Sequence, residues 1–277
     1  MKSTKYTVTL DDTNLHYWTY GSSKDTPLIV IHGFRGTHHG LEYIIEHLKG
    51  YYVITPDLPG FGDTPAFKQK SHSIENFATV VNKLIDSLGV KRPILLGHSM
   101  GTVVAAEMVK QRPDSFDQLI LVNSVAKKPP MLQLFPGYAY HRIAGKYLPE
   151  SLGTAILKNK QLFLLGSTVM TKTKDKNLRK LIHWNHVTYM KRFANRKSLL
   201  ESFESANSTA LDRYVDYLSM PTLMIVGKQD TIAPLAHQRE VAAKLPQATL
   251  VELDDVGHII HYEKPHAVAH AIRNFLQ

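Results

Sequence analysis

A serine placed between two glycines is the first residue whose surroundings predict chemistry. Ser99 lies in the pattern Gly-x-Ser-x-Gly, between Gly97 and Gly101. The apolar run 94–96 before it is typical of a buried parallel strand, and 102–109 has the pattern of a helix with small residues on its packing side. A turn this tight requires glycines, because a Cβ there would clash where helix and strand approach. The pattern therefore predicts a raised serine hydroxyl that is available as a nucleophile.

Two further side chains supply what such a serine needs. A serine hydroxyl is a poor nucleophile at neutral pH unless an imidazole accepts its proton and a carboxylate holds that imidazole. Asp230 follows the apolar strand predicted over 221–227, and His258 follows the strand predicted over 249–253. The carboxyl ends of parallel strands lie at one edge of a sheet. We therefore expect Ser99, Asp230 and His258 to form a catalytic triad.

The bulk properties limit the classes of function. The chain has 277 residues, no cysteine and a formal net charge of +9. The absence of cysteine excludes disulfides, thiolate metal sites and a cysteine nucleophile. Residues 127–218 hold 16 Lys and Arg against 6 Asp and Glu, and the rest of the chain is nearly neutral, which argues against a nucleic-acid-binding core. Because no apolar run suits a signal peptide or a membrane span, we expect a cytoplasmic protein.

Strand and helix patterns alternate on both sides of the basic stretch. Apolar or alternating runs predict eight strands, over 5–10, 15–20, 27–32, 51–55, 94–96, 117–123, 221–227 and 249–253. Helical periodicity predicts helices over 38–48, 73–88, 102–109, 235–245 and 262–275. This order predicts an α/β fold with a mostly parallel sheet and helices on both faces. Residues 127–218 show helical periodicity alone, so we expect a core of 1–126 and 219–277 with an inserted helical cap over 127–218.

Several motifs together resemble one family. The chain order serine, aspartate, histidine and the glycine-flanked serine resemble the α/β-hydrolase superfamily, in its cap-bearing group of serine carboxylesterases and lipases. The resemblance implies an α/β-hydrolase fold and places the oxyanion hole at the backbone N–H groups of Phe34 and Met100. The segments that carry it are His32-Gly33-Phe34, Asp57-Leu58-Pro59-Gly60-Phe61-Gly62, Gly97-His98-Ser99-Met100-Gly101, Gly227-x-x-Asp230 and Gly257-His258.

Other polar residues compete for roles in this site. Asp254 and Asp255 are only four and three residues before His258, too close in sequence for their carboxylates to approach its ring from behind. Asp230 is therefore the preferred acid. Asn123 ends a strand where some relatives place the acid, but an amide cannot replace a carboxylate. Asp57 lies in a loop that relatives use structurally, and we interpret it as a turn residue. His32 is expected to hydrogen-bond beside the oxyanion loop.

The resemblance implies hydrolysis of carboxylic esters of small or medium acyl chains through an acyl-enzyme, without a cofactor. A carbon–carbon bond hydrolase, a lactonase, an acyltransferase and a non-catalytic binding protein remain alternatives on the same scaffold. The residues after His258 lack the aromatic that usually follows this histidine in carbon–carbon bond hydrolases. Seven side chains of the expected cap are candidates for the pocket lining or for the cap's own core: Phe135, Tyr138, Tyr140, Leu162, Phe163, Trp184 and Tyr189.

Histidines and basic clusters suggest two further interactions. Three histidine pairs have helix-face spacing but no third ligand near in sequence, so we predict no metal site: His183/His186, His258/His261 and His266/His270. The basic clusters favour a solvated helix face, and a sharper hypothesis is weak attraction to anionic lipid or acidic substrates. They are Lys172-Lys174-Lys176-Arg179-Lys180 and Lys191-Arg192-Arg196-Lys197. The expected partner is a small-molecule ester rather than a nucleic acid, and the oligomeric state stays open.

Overall fold

One eight-stranded sheet forms the frame of the molecule, which is described here from a computed structural model covering residues 1–10, 12–128 and 131–277. The strands are β1 (Ser3–Leu10), β2 (Thr13–Tyr20), β3 (Thr26–Ile31), β4 (Tyr51–Pro56), β5 (Ile94–His98), β6 (Leu119–Val122), β7 (Thr222–Gly227) and β8 (Ala248–Leu253). Their order in the sheet is β1-β2-β4-β3-β5-β6-β7-β8. Only the β1/β2 and β2/β4 pairs are antiparallel. The predicted mostly parallel, eight-stranded sheet is confirmed.

Helices cover both faces of this sheet. They are α1 (His38–Ile45), α2 (Ile74–Ser87), α3 (Met100–Gln111), α4 (Met131–Arg142), α5 (Glu150–Leu157), α6 (Lys160–Met170), α7 (Lys176–Tyr189), α8 (Arg196–Ala206), α9 (Leu235–Ala242), α10 (Ile260–Glu263) and α11 (Pro265–Phe275). Successive side chains of a strand point to opposite faces. Ile29 and Ile31 of β3 pack in the core with α2 and α3, whereas Leu28 and Val30 pack in the core with α1 and α11. The continuous apolar run of β3 thus serves two cores.

The chain between β6 and β7, residues 123–221, is called the β6–β7 segment. It contains α4 to α8, and its described residues form no strand beyond one isolated bridge between Phe193 and Phe61. Backbone hydrogen bonds join this segment to the loop after β4, from Gly62 N–H to the Arg192 carbonyl at 2.9 Å and from Ala194 N–H to the Gly60 carbonyl at 2.9 Å. Within the described residues, no helix is both long and apolar enough to cross a membrane.

Several element boundaries differ from the sequence prediction by a few residues. The helix predicted over 262–275 is two helices, because Pro265 lacks an N–H and begins α11 at its first turn. Helix α1 ends at Ile45, earlier than the predicted residue 48. Strand β2 begins at Thr13, two residues before the predicted start at residue 15.

Candidate active site

Ser99 sits in a strained turn between β5 and α3. Its backbone has φ of 53° and ψ of −122°, in a region that residues with a side chain seldom adopt. The flanking glycines make this turn possible. A Cβ on Gly97 would overlap the Gly101 carbonyl, and a Cβ on Gly101 would overlap the Ile31 carbonyl of β3. Helix α3 therefore begins at Met100, immediately after the serine.

The three predicted residues form one hydrogen-bonded chain. The Ser99 Oγ lies 2.9 Å from His258 Nε2, and His258 Nδ1 lies 2.8 Å from Asp230 Oδ2. His258 is 8 % exposed and Asp230 is 5 % exposed, so water screens these contacts only weakly. The arrangement orients the imidazole with one nitrogen toward the carboxylate and the other toward the serine hydroxyl.

The second oxygen of Asp230 is also held. Its Oδ1 accepts hydrogen bonds from the backbone N–H groups of Ile232 and Ala233, both at 2.8 Å. The sequence left Asp254 open as an alternative acid. That carboxylate instead pairs with Lys228 Nζ at 2.9 Å and is largely exposed. Asp230 is therefore the carboxylate in contact with the imidazole.

Asn123 and His98 fix the loop that carries His258. The Asn123 amide donates to the carbonyls of Gly257 and His258, both at 2.9 Å, and its Oδ1 accepts from Gly227 N–H at 2.9 Å. His98 Nε2 lies 3.1 Å from the His258 carbonyl. From the sequence, Asn123 was excluded as the acid, and its hydrogen bonding to the loop of His258 was not predicted. The available signal was a polar residue that directly follows the buried strand β6.

The loop after β3 brings the Phe34 amide beside the serine. A Cβ on Gly33 would lie 3.0 Å from the Ser99 Cβ, so this loop passes against the nucleophile. Among the described residues, neither Phe34 N–H nor Met100 N–H has a hydrogen-bond acceptor. Two free amides near a serine hydroxyl are suited to a developing negative oxygen.

His32 holds that loop in place, as the sequence predicted. Its Nε2 accepts from Leu58 N–H at 2.9 Å, so Nδ1 carries the ring proton and donates to the Gly33 carbonyl at 2.8 Å. Burial lowers the pKa of His32, which favours this neutral ring.

Asp57 is a buried hydrogen-bond acceptor rather than an ordinary turn residue. Its Oδ1 accepts from the N–H of His38 at 2.8 Å and lies 2.9 Å from the Nδ1 of that ring, and its Oδ2 accepts from Asp63 N–H at 3.0 Å. Burial alone would raise the pKa of Asp57, but the His38 and His32 rings and the Asp63 N–H together lower it below its usual value. The carboxylate thus joins the loop after β4 to the start of α1.

A cavity of about 790 Å³ opens at the Ser99 hydroxyl, a volume suited to a small organic substrate. Four of the seven side chains named from the sequence line it: Tyr140, Leu162, Phe163 and Tyr189. The other three lie outside its lining. Phe135 and Trp184 are mostly exposed, and the Tyr138 ring packs on Phe203 at 5.1 Å between centroids.

Comparison with known proteins agrees with this geometry. Residues 26–265 match the family model of the alpha/beta hydrolase fold. The chain belongs to that family. The hydrolase is 24% identical to the uncharacterized hydrolase YugF of Bacillus subtilis, over 97% of this chain and 96% of that protein. It is 26% identical to Lipase 1 of Psychrobacter immobilis, over 88% and 74%. A solved thermophilic esterase from Thermogutta terrifontis has the same fold, with a TM-score of 0.78, 23% identity and coverage of 100% and 98%.

One cluster of potential metal ligands occurs in the part of the hydrolase that the structure describes. The ligand atoms of His38, His39 and Glu42 lie within 4.8 Å of one another. Hydrogen bonds already engage them: His39 Nδ1 lies 3.0 Å from Glu42 Oε2, and Glu42 Oε1 accepts from the Tyr20 hydroxyl at 2.8 Å. The cluster is therefore accounted for as a polar network on α1. It is separate from the three histidine pairs singled out in the sequence.

A buried histidine of the hydrolase should make its stability depend on pH. Burial lowers the pKa of His186 to about 4 from its ordinary 6.5. Below pH 6.5 the unfolded chain binds a proton that the folded chain does not bind until about pH 4, so acid favours unfolding in that window. On acidification from pH 6.5 to 5, His186 should lower the free energy of unfolding by up to about 2 kcal/mol. Above pH 6.5 this loss of stability does not occur.

Urea unfolding at pH 7 and pH 5 measures this effect. His186→Gln should lose correspondingly less stability on acidification than the unmodified protein. The matched control is His270→Gln, which alters an exposed histidine of α11 and should retain the full acid loss. Equal acid losses in all three proteins would contradict the prediction.

Proposed function

We propose that the hydrolase cleaves carboxylic esters by a serine acyl-enzyme mechanism. The observation that carries this proposal is the hydrogen-bonded chain from Ser99 through His258 to Asp230, beside the free amides of Phe34 and Met100. The names of two similar proteins, a lipase and an esterase, support the same reaction class.

In the first half of the proposed reaction, the Ser99 oxygen attacks the carbonyl carbon of the ester. His258 Nε2 takes the hydroxyl proton, and Asp230 stabilises the imidazolium. The carbonyl oxygen becomes an anion that the Phe34 and Met100 N–H groups bind, each contributing about 3 kcal/mol to the transition state. The carbon–oxygen bond to the alcohol then breaks, and His258 returns its proton to the leaving alkoxide.

In the second half, water hydrolyses the acyl-enzyme. His258 removes a proton from the water as its oxygen attacks the acyl carbon, and the same two amides bind the second oxyanion. When this intermediate collapses, Ser99 regains its proton from the imidazole and the carboxylic acid leaves. Side chains on the protein surface take no part in either half of the proposed reaction.

The β6–β7 segment supplies the proposed cap over this site. Its residues Tyr140, Phe163 and Phe203 line the cavity together with residues of the core loops. Apolar side chains of this kind suit an acyl chain, because the cavity removes the chain from water.

The basic cluster at the start of α7 forms a surface groove, lined by Lys174, Lys176, Arg179, Lys180 and His183. In our proposal this groove weakly attracts anionic lipid surfaces. If the protein bound anionic and neutral vesicles equally, this attraction would be contradicted.

Hydrolysis of p-nitrophenyl esters from acetate to palmitate tests the proposed function. We expect activity with a maximum at small or medium chain length, because the cavity volume limits the acyl chain. Prior treatment with diethyl p-nitrophenyl phosphate should abolish that activity, and mass spectrometry should find the diethyl phosphoryl group on the peptide containing Ser99. A folded protein that hydrolyses none of these esters, and whose Ser99 peptide stays unlabelled, would overturn the proposal. Activity restricted to lactones or carbon–carbon substrates would replace the substrate class.

A further inference from the structure

One wall of the cavity carries polar atoms that bind nothing in the protein. His186, His261 and Tyr262 all line the cavity and are 3 %, 7 % and 5 % exposed. His186 Nδ1 lies 2.8 Å from Ser167 Oγ, so the ring nitrogen that remains to bind a ligand is Nε2. Within the described ranges, no hydrogen bond engages His186 Nε2, His261 Nε2 or the Tyr262 hydroxyl, and His261 Nδ1 is fully buried without a partner. We call these three residues, together with Gly40, the polar niche.

Gly40 provides the space in which two of these groups meet. A Cβ on Gly40 would lie 3.1 Å from the Tyr262 hydroxyl oxygen and 3.7 Å from His261 Nε2. Gly40 itself lines the cavity from α1. A helix interior disfavours glycine by about 1 kcal/mol relative to alanine. The absence of a side chain here leaves both polar groups accessible from the cavity.

Unpaired polar groups in a buried site destabilise the folded protein. Such groups are retained where a ligand supplies the missing hydrogen bonds, and a site of this kind discriminates strongly against a ligand that lacks them. Elsewhere in the cavity Phe34, Val125 and Phe203 provide apolar surface, and the His141 ring stacks on Phe203. The substrate should therefore have one apolar part and one part that both donates and accepts hydrogen bonds.

The niche adjoins the loop that carries His258, through the contact of His261 with His98. The His261 ring is 4.3 Å from the His98 ring, and His98 is next to the nucleophile and bonded to the His258 carbonyl. His258 must protonate the leaving oxygen, so the alcohol half of the ester lies beside His258. Helix α10, which carries His261 and Tyr262, begins two residues after His258.

The charge of the niche indicates a neutral ligand. Burial lowers the pKa of His186 to about 4 and that of His261 well below 6.5, and burial raises the pKa of Tyr262. All three groups are thus uncharged near pH 7. The cavity's buried cation, Arg35, is bonded instead to the Leu157 carbonyl at the end of α5, 2.8 Å away. Hydroxyl groups suit the niche better than a carboxylate does, because none of the niche side chains is charged.

We propose that the polar niche binds the free hydroxyl groups of a polyol alcohol, so that the preferred substrates are monoesters of glycerol-like alcohols. This inference rests on the proposed ester hydrolysis and specifies the alcohol half of its substrate. The acyl chain would occupy the apolar part of the cavity. The niche residues bind and position substrate and take no part in proton transfer at the serine.

The test compares two esters that share one acyl chain. Glyceryl 1-monobutyrate carries two free hydroxyls, and propyl butyrate has the same carbon skeleton without them. For the unmodified protein, kcat/KM should favour the glyceryl ester by about 10-fold or more. Tyr262→Phe, which removes one oxygen, should lower that ratio by about 5-fold while leaving kcat/KM for propyl butyrate within about 2-fold. Gly40→Ala should lower the ratio as well, because its methyl group enters the niche.

Tyr43→Phe is the matched control. Its ring lies 5.1 Å from the Tyr262 ring, but its hydroxyl accepts from Asn185 Nδ2 at 2.9 Å and it is not part of the cavity wall. It should leave the ratio unchanged. A ratio near one in the unmodified protein, or a ratio that both Tyr262→Phe and Gly40→Ala preserve, would overturn the niche and leave ester hydrolysis intact. If butyrate esters including p-nitrophenyl butyrate are not hydrolysed, the proposed function fails together with the niche.

Discussion

Replacement of Ser99 by alanine is expected to lower kcat/KM for p-nitrophenyl butyrate by ~10⁴- to 10⁶-fold. The Ser99 oxygen is the atom that would form the acyl-enzyme, and its hydroxyl is the proton donor that lies 2.9 Å from His258 Nε2. The alanine variant retains the Phe34 and Met100 amides, so a small residual rate from oxyanion binding should persist. The fold should be unaffected, because the substitution removes one oxygen that faces the cavity and adds no atom.

Two measurements complete this prediction. Steady-state hydrolysis gives the loss in rate, and mass spectrometry after rapid acid quenching should detect a butyryl group on the unmodified protein but not on Ser99→Ala. The matched control is Ser124→Ala, since Ser124 is a fully buried serine that follows β6 and its hydroxyl has no partner among the described residues. It should retain activity within about 3-fold. Retention of more than a tenth of the activity by Ser99→Ala would rule out this nucleophile.

The sheet could be predicted from sequence because its signals are local. In β3 and β7 a run of four apolar residues serves both cores, and such runs are visible without knowledge of any contact. The order of nucleophile, acid and base along the chain was equally accessible, because each follows a predicted strand. The break at Pro265 was visible too, but the surrounding apolar spacing continues through it and led to one helix.

The support around the site could not be predicted, because it depends on contacts between distant residues. Asn123 binds backbone groups of Gly227, Gly257 and His258, all more than 100 positions away. Periodicity carries no information on such pairs. The backbone of Asn123 also has φ of 46°, a conformation that asparagine tolerates better than most residues. A polar residue in that conformation at the end of a buried strand is a signal of use in other chains.

The polar niche illustrates the same limit for the pocket. His186 belongs to α7 and His261 to α10, and the sequence showed each only as one member of a helix-spaced histidine pair. Their partners in those pairs do not share the niche. The three-dimensional fold pairs His186 with Ser167 and places His261 beside Tyr262. Two histidines without a predicted role are thereby part of the cavity wall.

Substitution of Gly101 by alanine is expected to destabilise the fold by about 3 kcal/mol or more. A Cβ at this position would overlap the Ile31 carbonyl and lie 2.8 Å from the His32 carbonyl. Both are backbone atoms at the end of β3 and directly after it, so no side-chain rotation relieves the clash. Helix α3 would have to move away from β3, and the Met100 amide would move with it.

Urea unfolding of Gly101→Ala measures the loss, and Gly166→Ala distinguishes a clash from a general effect of removing glycine. Gly166 lies within α6, and a Cβ there would meet nothing within 4 Å. That variant should be more stable than the unmodified protein by about 0.5–1 kcal/mol, because alanine favours the helix. The two glycine substitutions should therefore have opposite signs. If Gly101→Ala were as stable as Gly166→Ala, close approach of α3 to β3 would not be the reason for this glycine, and the strained turn at Ser99 would need another cause.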